Sequence, residues 1–308
     1  MIDAALLPAL LSLLAVARSG SVGAAARLQH RTSSAISQQI RKLERHLDVK
    51  LLERAGRGVR LTAAGEAALP GILQLGTETE ALFAQLAELS GRPPAILRVA
   101  VSDYLGRDLL VPVLHELLEE QPRLRFEIAT THSRESVRLV GLGEVDCAVV
   151  TGQEAPRGIE AARLFDQAFV WVGPRRARRR APLAERLARE PLLRLGAGSQ
   201  GRRLLEDYLA REHIQPVSTI DVPSVSLLLT YVSGGLGVGL APALALALAE
   251  GGSGRRPYDW ERAAVPALTV TLVHRPGFRR STAAERFATR LAAEGRRAGA
   301  RLRRMGLG

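Results

Sequence analysis

The stretch "RTSSAISQQIRKLERHL" (residues 31–47) shows two stripes when wound as a helix. Ile36, Ile40, Leu43 and Leu47 step by four, three and four, one apolar stripe of helical period. Ser34, Ser37, Gln38, Arg41 and Arg45 form the stripe on the far side. A merely solvated face is usually rich in Glu and Lys. Here the N-terminal half carries small hydrogen-bonding side chains, which let a helix approach another surface closely.

The flanking sequence supplies a context. Leu6, Leu10, Leu13 and Ala17 recur at helical spacing, so a buried first helix is expected over about 4–18. The apolar run 4–17 has signal-peptide length, but only Met1, Ile2 and Asp3 precede it, without a positive n-region. It is also too short to cross a bilayer. Ser21 suits the N-cap of a short helix, "VGAAARLQ", and a tight connection at 30–32 leads into the quoted helix. "LLERAGRGVRLT" follows, with Gly56 and Gly58 between apolar ends, the mark of a small hairpin or wing. A helix, a tight turn, a helix with a polar outer face and a wing form a winged helix-turn-helix, whose second helix enters the major groove. Thr32, Ser33, Ser34 and Ser37 are small enough for close approach. Gln38 can pair with adenine and Arg41 with guanine or phosphate. Arg54, Arg57 and Arg60 on the wing are expected against the DNA backbone.

Thr62 then caps a long helix to about Ser90, in which Ile72, Leu75, Thr79, Leu82, Leu86 and Leu89 keep heptad spacing. Pro70 points to a late start or a kink, and Gly91, Pro93 and Pro94 close the segment. A lone helix cannot bury such a seam. Dimerisation through Ile72, Leu75, Leu82, Leu86 and Leu89 is favoured over packing within its own domain.

Beyond residue 95 the period alternates. Strands at 96–101, 124–130 and 146–151 enclose helices at 108–120 and 133–142, a right-handed β-α-β-α-β unit with a parallel sheet. The pattern restarts at 168–173 and ends with a strand at 267–273 and a helix at about 282–297. Two small α/β halves predict a bilobal clamp, with ligands bound where strand C-termini meet helix N-termini. Ser102, Thr131, Ser133, Thr151, Ser199 and Ser224 stand at such junctions. With exposed helix N–H groups they would suit a small anionic effector, although plain N-capping explains each of them singly.

Charge and composition agree. The 308 residues carry a net charge of +12, of which residues 1–62 hold ten basic and four acidic side chains. Residues 63–90 hold four acidic side chains and no basic ones. A compact basic block suits a polyanion. The single Cys147 excludes an intrachain disulfide and a cysteine-based zinc site, fits a reducing cytoplasm, and lies in an apolar run that predicts an inert thiol. There is no G-x-S-x-G elbow, H-E-x-x-H or P-loop, and "GGLGVG" (234–239) follows a helix and precedes a strand, the reverse of a dinucleotide site. The six His are scattered. No catalytic residue, metal ligand or cofactor is expected.

The chain resembles the LysR-type transcriptional regulators, most densely over residues 20–66. The matching steps are Gly20-Ser21, Ala25-Ala26, Ser34-Ala35-Ile36-Ser37, Leu43-Glu44, Leu51-Leu52-Glu53-Arg54 and Leu61-Thr62-Ala63-Ala64-Gly65. The resemblance implies a winged helix-turn-helix (1–62), a dimerising linker helix (63–91) and a periplasmic-binding-protein-like effector domain (92–300). Its lobes are expected at about 95–163 plus 267–300, and at 164–266, with a basic tail at 301–308. By position, Ser33, Ser34, Ser37 and Gln38 match base-facing residues, and Ser102 and Thr131 match effector-cleft residues, with Ser199 and Ser224 as counterparts in the second lobe. Implied partners are double-stranded DNA with an interrupted dyad, a small-molecule effector, further copies of the chain in a homodimer or homotetramer, and RNA polymerase. No membrane partner is expected. The alternative is a solute-binding protein of the same bilobal fold without DNA function. Two departures stand out: Gln29 and Arg31 occupy usually apolar positions, a loss that a one-residue shift to Leu28 would repair, and Asp48 replaces a common Gly.

Overall fold

A computed structural model describes residues 6–56, 58–89, 96–175, 182–247 and 258–307. The N-terminal head consists of α1 (Leu7–Ser19), α2 (Val22–Leu28), α3 (Ser33–Leu47) and the antiparallel wing β1 (Leu52–Ala55) and β2 (Gly58–Leu61). Ser21 caps α2 by accepting from the Ala24 N–H, and Thr32 caps α3 by accepting from Ala35 N–H at 3.1 Å. Asp48 ends α3 in the left-handed conformation (φ 51°), which Asp tolerates better than most residues. Leu13, Ile36, Leu43 and Leu51 are fully buried beneath the head. Gly65, just past the wing, has no room for a side chain: a Cβ there would sit 2.3 Å from the Leu51 carbonyl oxygen.

The polar substitution at Gln29 has a local explanation. Ser12, fully buried on α1, donates to Gln29 Oε1 (3.0 Å) or to Gln39 Oε1 (2.6 Å), and Gln29 Nε2 donates to the Leu11 carbonyl. A hydrogen-bonded cluster thus replaces an apolar contact. The expected shift to Leu28 does not occur, and Leu28 is 67% exposed.

The linker helix α4 (Ala63–Leu89) runs continuously through Pro70, so the expected late start is absent. Behind it lies the bilobal unit. It comprises β3 (Ile96–Val101), α5 (Asp103–Leu105), a π-helical turn (Gly106–Leu110), α6 (Val111–Glu120), β4 (Arg125–Thr130), α7 (Ser133–Leu142), β5 (Cys147–Thr151) and β6 (Glu160–Gln167). The second lobe holds β7 (Phe169–Pro174), α8 (Leu183–Leu187), β8 (Leu192–Leu195), α9 (Gln200–Arg211), β9 (Thr219–Val222), α10 (Val225–Ser233), β10 (Val238–Pro242), α11 (Leu244–Ala247) and β11 (Tyr258–Arg262). β12 (Leu268–His274) and α12 (Thr282–Arg304) return to the first.

The sheets run β4-β3-β5-β12-β6 and β11-β7-β10-β8-β9. β3 is parallel to β4 and β5, as the β-α-β-α-β pattern predicts, but β12 is antiparallel to both β5 and β6. The sheet is mixed because β12 arrives from the other lobe rather than through a crossover helix. The chain changes lobe at Ala168, not at residue 164: Leu164 and Phe165 belong to β6. The expected basic tail is also corrected. Arg301, Arg303 and Arg304 form the last turn of α12, Arg301 pairs with the buried Glu294, and Leu302 and Leu307 are buried. The sequence also reads "RRARRR" (175–180) as a basic, solvated loop, of which only Arg175 lies within the described residues. Burial pushes the Cys147 thiol well above its ordinary value, which keeps it inert.

Candidate DNA-reading face and ligand cleft

The buried side of α3 explains the orientation of its other side. Ile36, Ile40 and Leu43 face the head's core, and with them Glu44, only 7% exposed. Glu44 Oε1 accepts from Leu51 N–H (2.9 Å) and Leu52 N–H (3.3 Å), while Oε2 pairs with Lys50 Nζ at 2.8 Å. Burial pushes this carboxyl up, but the Lys50 and backbone hydrogen bonds outweigh it and hold the group below its ordinary value. Glu44 thereby ties the C-terminal half of α3 to the start of the wing.

The opposite face is open. Ser33, Ser34, Gln38 and Arg41 are exposed and Ser37 is half-buried. Among the described residues none of these five side chains has an intramolecular partner. Thr32 is spent on its cap. On the wing, Arg54 is exposed, Arg60 is paired with Glu53 at 2.6 Å, and Arg57 lies outside the described residues.

The candidate ligand cleft lies between the lobes. Ser102, Ser133 and Thr151 from one lobe and Ser199 and Ser224 from the other line a cavity of about 60 Å³. Thr131 does not: its hydroxyl pairs with Ser136 Oγ at 2.9 Å. Most of the lining hydroxyls are already committed. Ser199 accepts from Arg202 N–H (3.1 Å) and Ser224 from Leu227 N–H (3.2 Å), both as N-caps. Ser133 accepts from Thr151 N–H (3.0 Å), and Thr151 shares a hydrogen bond with the Tyr104 hydroxyl (3.0 Å). Burial pushes the Tyr104 hydroxyl up, so it stays protonated. Ser102 differs: its hydroxyl is buried without a partner.

The sequence reading missed Asp103, His132 and Gln200, which also line the cleft. His132 could have been found, since it stands at the same strand-to-helix junction as Thr131 and Ser133. Asp103 Oδ2 accepts from Ser226 N–H across the lobes (3.1 Å). Next to it Arg107, paired with the buried Asp108, donates to Ser226 Oγ (3.2 Å) and to the Ala245 carbonyl (3.4 Å). The described lining contains no Lys or Arg.

Residues 7–66 match the bacterial regulatory helix-turn-helix protein model of the lysR family, and residues 90–296 match the LysR substrate binding domain. The chain belongs to the LysR family. It is a DNA-binding transcriptional regulator with an effector-binding domain. It is 29% identical over 235 residues to the HTH-type transcriptional regulator YofA of Bacillus velezensis, covering 75% of this chain and 79% of that relative. It is 30% identical over 261 residues to the HTH-type transcriptional regulator TfdS of Cupriavidus pinatubonensis, covering 79% and 82%. The fold is similar to the crystal structure of ArgP from Mycobacterium tuberculosis, with a TM-score of 0.72 at 22% identity over 96% of this chain and 98% of that one. A solute-binding protein of the bilobal fold would leave the matched helix-turn-helix without a role.

The heptad seam of the linker divides in two. Ile72 and the neighbouring Leu73 are buried in the head's own core with Leu13, Leu14 and Leu51, and Leu75 is half-buried. Leu82 and Leu86 are 54% and 50% exposed, and Phe83, missed by the heptad pattern, is 66% exposed. The Leu89 side chain lies outside the described residues.

Proposed function

We propose that this LysR regulator reads operator bases with Ser33, Ser34, Ser37, Gln38 and Arg41 of α3, while Arg54 and Arg57 of the wing contact phosphate. Thr32 contributes as the cap that sets the start of the helix. Arg60 contributes less than its neighbour, because Glu53 neutralises it. The cleft takes a small anionic effector, whose charge meets the N-terminal N–H groups of α7, α9 and α10 together with the Ser102 hydroxyl. Thr131 acts behind the cleft, through Ser136. Leu82, Phe83 and Leu86 are covered by the linker of a second copy, which gives the homodimer that an interrupted dyad requires; a homotetramer pairs two such dimers. The protein works in the cytoplasm, without catalysis or cofactor, and RNA polymerase is the partner through which it acts on transcription.

One observation carries the reading: on the outer face of the second helix-turn-helix helix, directly opposite a buried apolar stripe, the Ser33, Ser34, Gln38 and Arg41 side chains are exposed and, among the described residues, without internal partners. The test is fluorescence anisotropy of the full chain against the duplex upstream of its own gene, with a scrambled duplex of equal length beside it at several salt concentrations. Preference for the native duplex by about a thousandfold is expected. Weak, steeply salt-dependent binding that is equal for both duplexes would overturn base reading by α3.

A further inference from the structure

One helix joins the cleft to the DNA-binding head. α7 (Ser133–Leu142) presents its first turn to the cleft and its last turn to α1, and its ten residues span about 15 Å. At the cleft end, His132 is the N-cap residue and stands against a loop of the opposite lobe. A Cβ added at Gly198 would lie 3.1 Å from the His132 ring carbon Cδ2, and one at Gly196 would lie 3.5 Å from Nε2. An approach of the second lobe along this loop therefore presses on this ring. Ser133 and Thr131 carry the contact on, bonded to Thr151 N–H and to Ser136 respectively. Ser136 and Val140 are fully buried, so the helix responds as a packed body rather than by fraying.

At the far end, Gly143 closes α7 in the left-handed conformation (φ 67°). Around the end of α7 two guanidinium groups meet backbone carbonyls, where a cation suits the helix C-terminus, although the Val140 carbonyl also accepts from Gly143 N–H at 3.0 Å. Arg275, buried, donates to the Val140 and Val145 carbonyls at 2.9 and 3.2 Å. Arg18, from the last turn of α1, donates to the Leu142 carbonyl. The guanidinium rests on the glycine itself: a Cβ at Gly143 would fall 2.1 Å from Arg18 Nη2. α1 in turn shares its core with the reading helix, Leu13 and Leu14 with Leu43, and Ala15 and Val16 with Ile36 and Ile40.

We propose that α7 couples the two sites: closure of the lobes over an effector acts on His132, and the resulting shift of α7 reaches α3 through the contact of Arg18 with Leu142. This rests on the reading of the cleft as the effector site. The contact between Arg18 and the end of α7 is the element whose strength differs between open and closed states, as any coupling of two sites requires. His132 and Arg18 are positioning residues.

A double-mutant cycle on the full chain tests it, with His132→Ala, Arg18→Ala and the double variant. Affinity is measured by anisotropy on a duplex selected from a random library with the wild-type protein. Hydrogen exchange of the α1 amides is followed in the DNA-free protein. Because His132→Ala is compared within each Arg18 background, any direct charge effect of Arg18 on DNA cancels. His132→Ala is expected to change affinity about fivefold or more when Arg18 is present. With Ala at position 18 the change should fall below about twofold. It should alter α1 exchange only when Arg18 is present. Equal effects in both backgrounds, or no effect of His132→Ala on either readout, would overturn the coupling. If selection enriches no duplex, the DNA-reading assignment fails, and the exchange measurement still decides the coupling.

Discussion

The proposed reading face of α3 and the wall of the cleft are built from the same kinds of residue, yet they stand in opposite energetic positions. Among the described residues, the side chains of Ser33, Ser34, Gln38 and Arg41 bond to nothing inside the chain. In the cleft Ser133, Thr151, Ser199 and Ser224 are all bonded inside the chain, and Ser102 is left without a partner. A hydroxyl without an internal partner adds nothing to stability, and costs some where it is buried, but it is available for a ligand. A committed one holds a helix end and gives the cleft its shape. Residue type alone does not separate the two roles; the partner does.

The contrast is sharpest within α3 itself, where committed and free side chains occupy opposite faces of one helix. Removing the committed one should have the largest effect on the fold. Glu44→Ala leaves the Leu51 and Leu52 N–H groups without their carboxylate and is expected to cost the head about 3 kcal/mol. Hydrogen exchange of the head's amides checks this. The pH dependence has a definite sign. The Glu44 carboxyl is held below its ordinary value of 4.5 in the folded head, so its contribution is complete above about pH 4.5 and is lost as the pH falls through the lowered value. In Glu44→Gln that part of the acid sensitivity should disappear; an unchanged acid profile would show that the carboxylate is not what ties α3 to the wing.

Gln38→Ala should do the reverse. Specific DNA binding is expected to weaken by about 1–3 kcal/mol, with non-specific binding and thermal stability nearly unchanged. Equal losses on specific and scrambled duplexes would remove Gln38 from the base-reading set.

How much of this was legible in the sequence follows from the range of the interactions. The head was readable because its signals are local: the stripe of Ile36, Ile40 and Leu43, the cap at Ser21, and the paired glycines of the wing all act within one or two turns. Gln29 looked anomalous because its partner Ser12 lies 17 residues away on another helix. β6 and β11 escaped because edge positions let polar residues occupy them, as in "EAARLFDQ" and "YDWER". In the cleft, the hydroxyls at strand ends were visible, but which of them would be spent on caps and cross-strand bonds was not. Asp103 and His132 become neighbours of the second lobe only once both sheets are assembled, and no short-range pattern records that.

Cap removal gives a smaller, purely structural effect. Ser224→Ala deletes the acceptor for Leu227 N–H at the start of α10 and should destabilise the bilobal unit by about 1 kcal/mol. Trp171 and Trp260 both lie in the second lobe, so their fluorescence in a urea titration reports on the right region. A loss confined to ligand binding, with stability intact, would mean that the Ser224 hydroxyl is free in solution and not committed as described.

Ser102→Ala is the complementary case and the smallest change in stability. Ser102 precedes α5, yet its side chain makes no capping bond and its hydroxyl is buried without a partner. An unsatisfied buried hydroxyl carries a desolvation cost of roughly 1–3 kcal/mol that a methyl group does not. Replacement by Ala removes that cost together with the group, so stability should stay the same or rise slightly, in contrast to the loss at Ser224. If the hydroxyl is kept for a ligand, the same variant should abolish the thermal shift that any small carboxylate found by screening gives the wild-type protein. A stability loss as large as that of Ser224→Ala would place the Ser102 hydroxyl among the committed groups. The cleft would then hold no free hydroxyl, and recognition would fall to the backbone N–H groups of α7, α9 and α10.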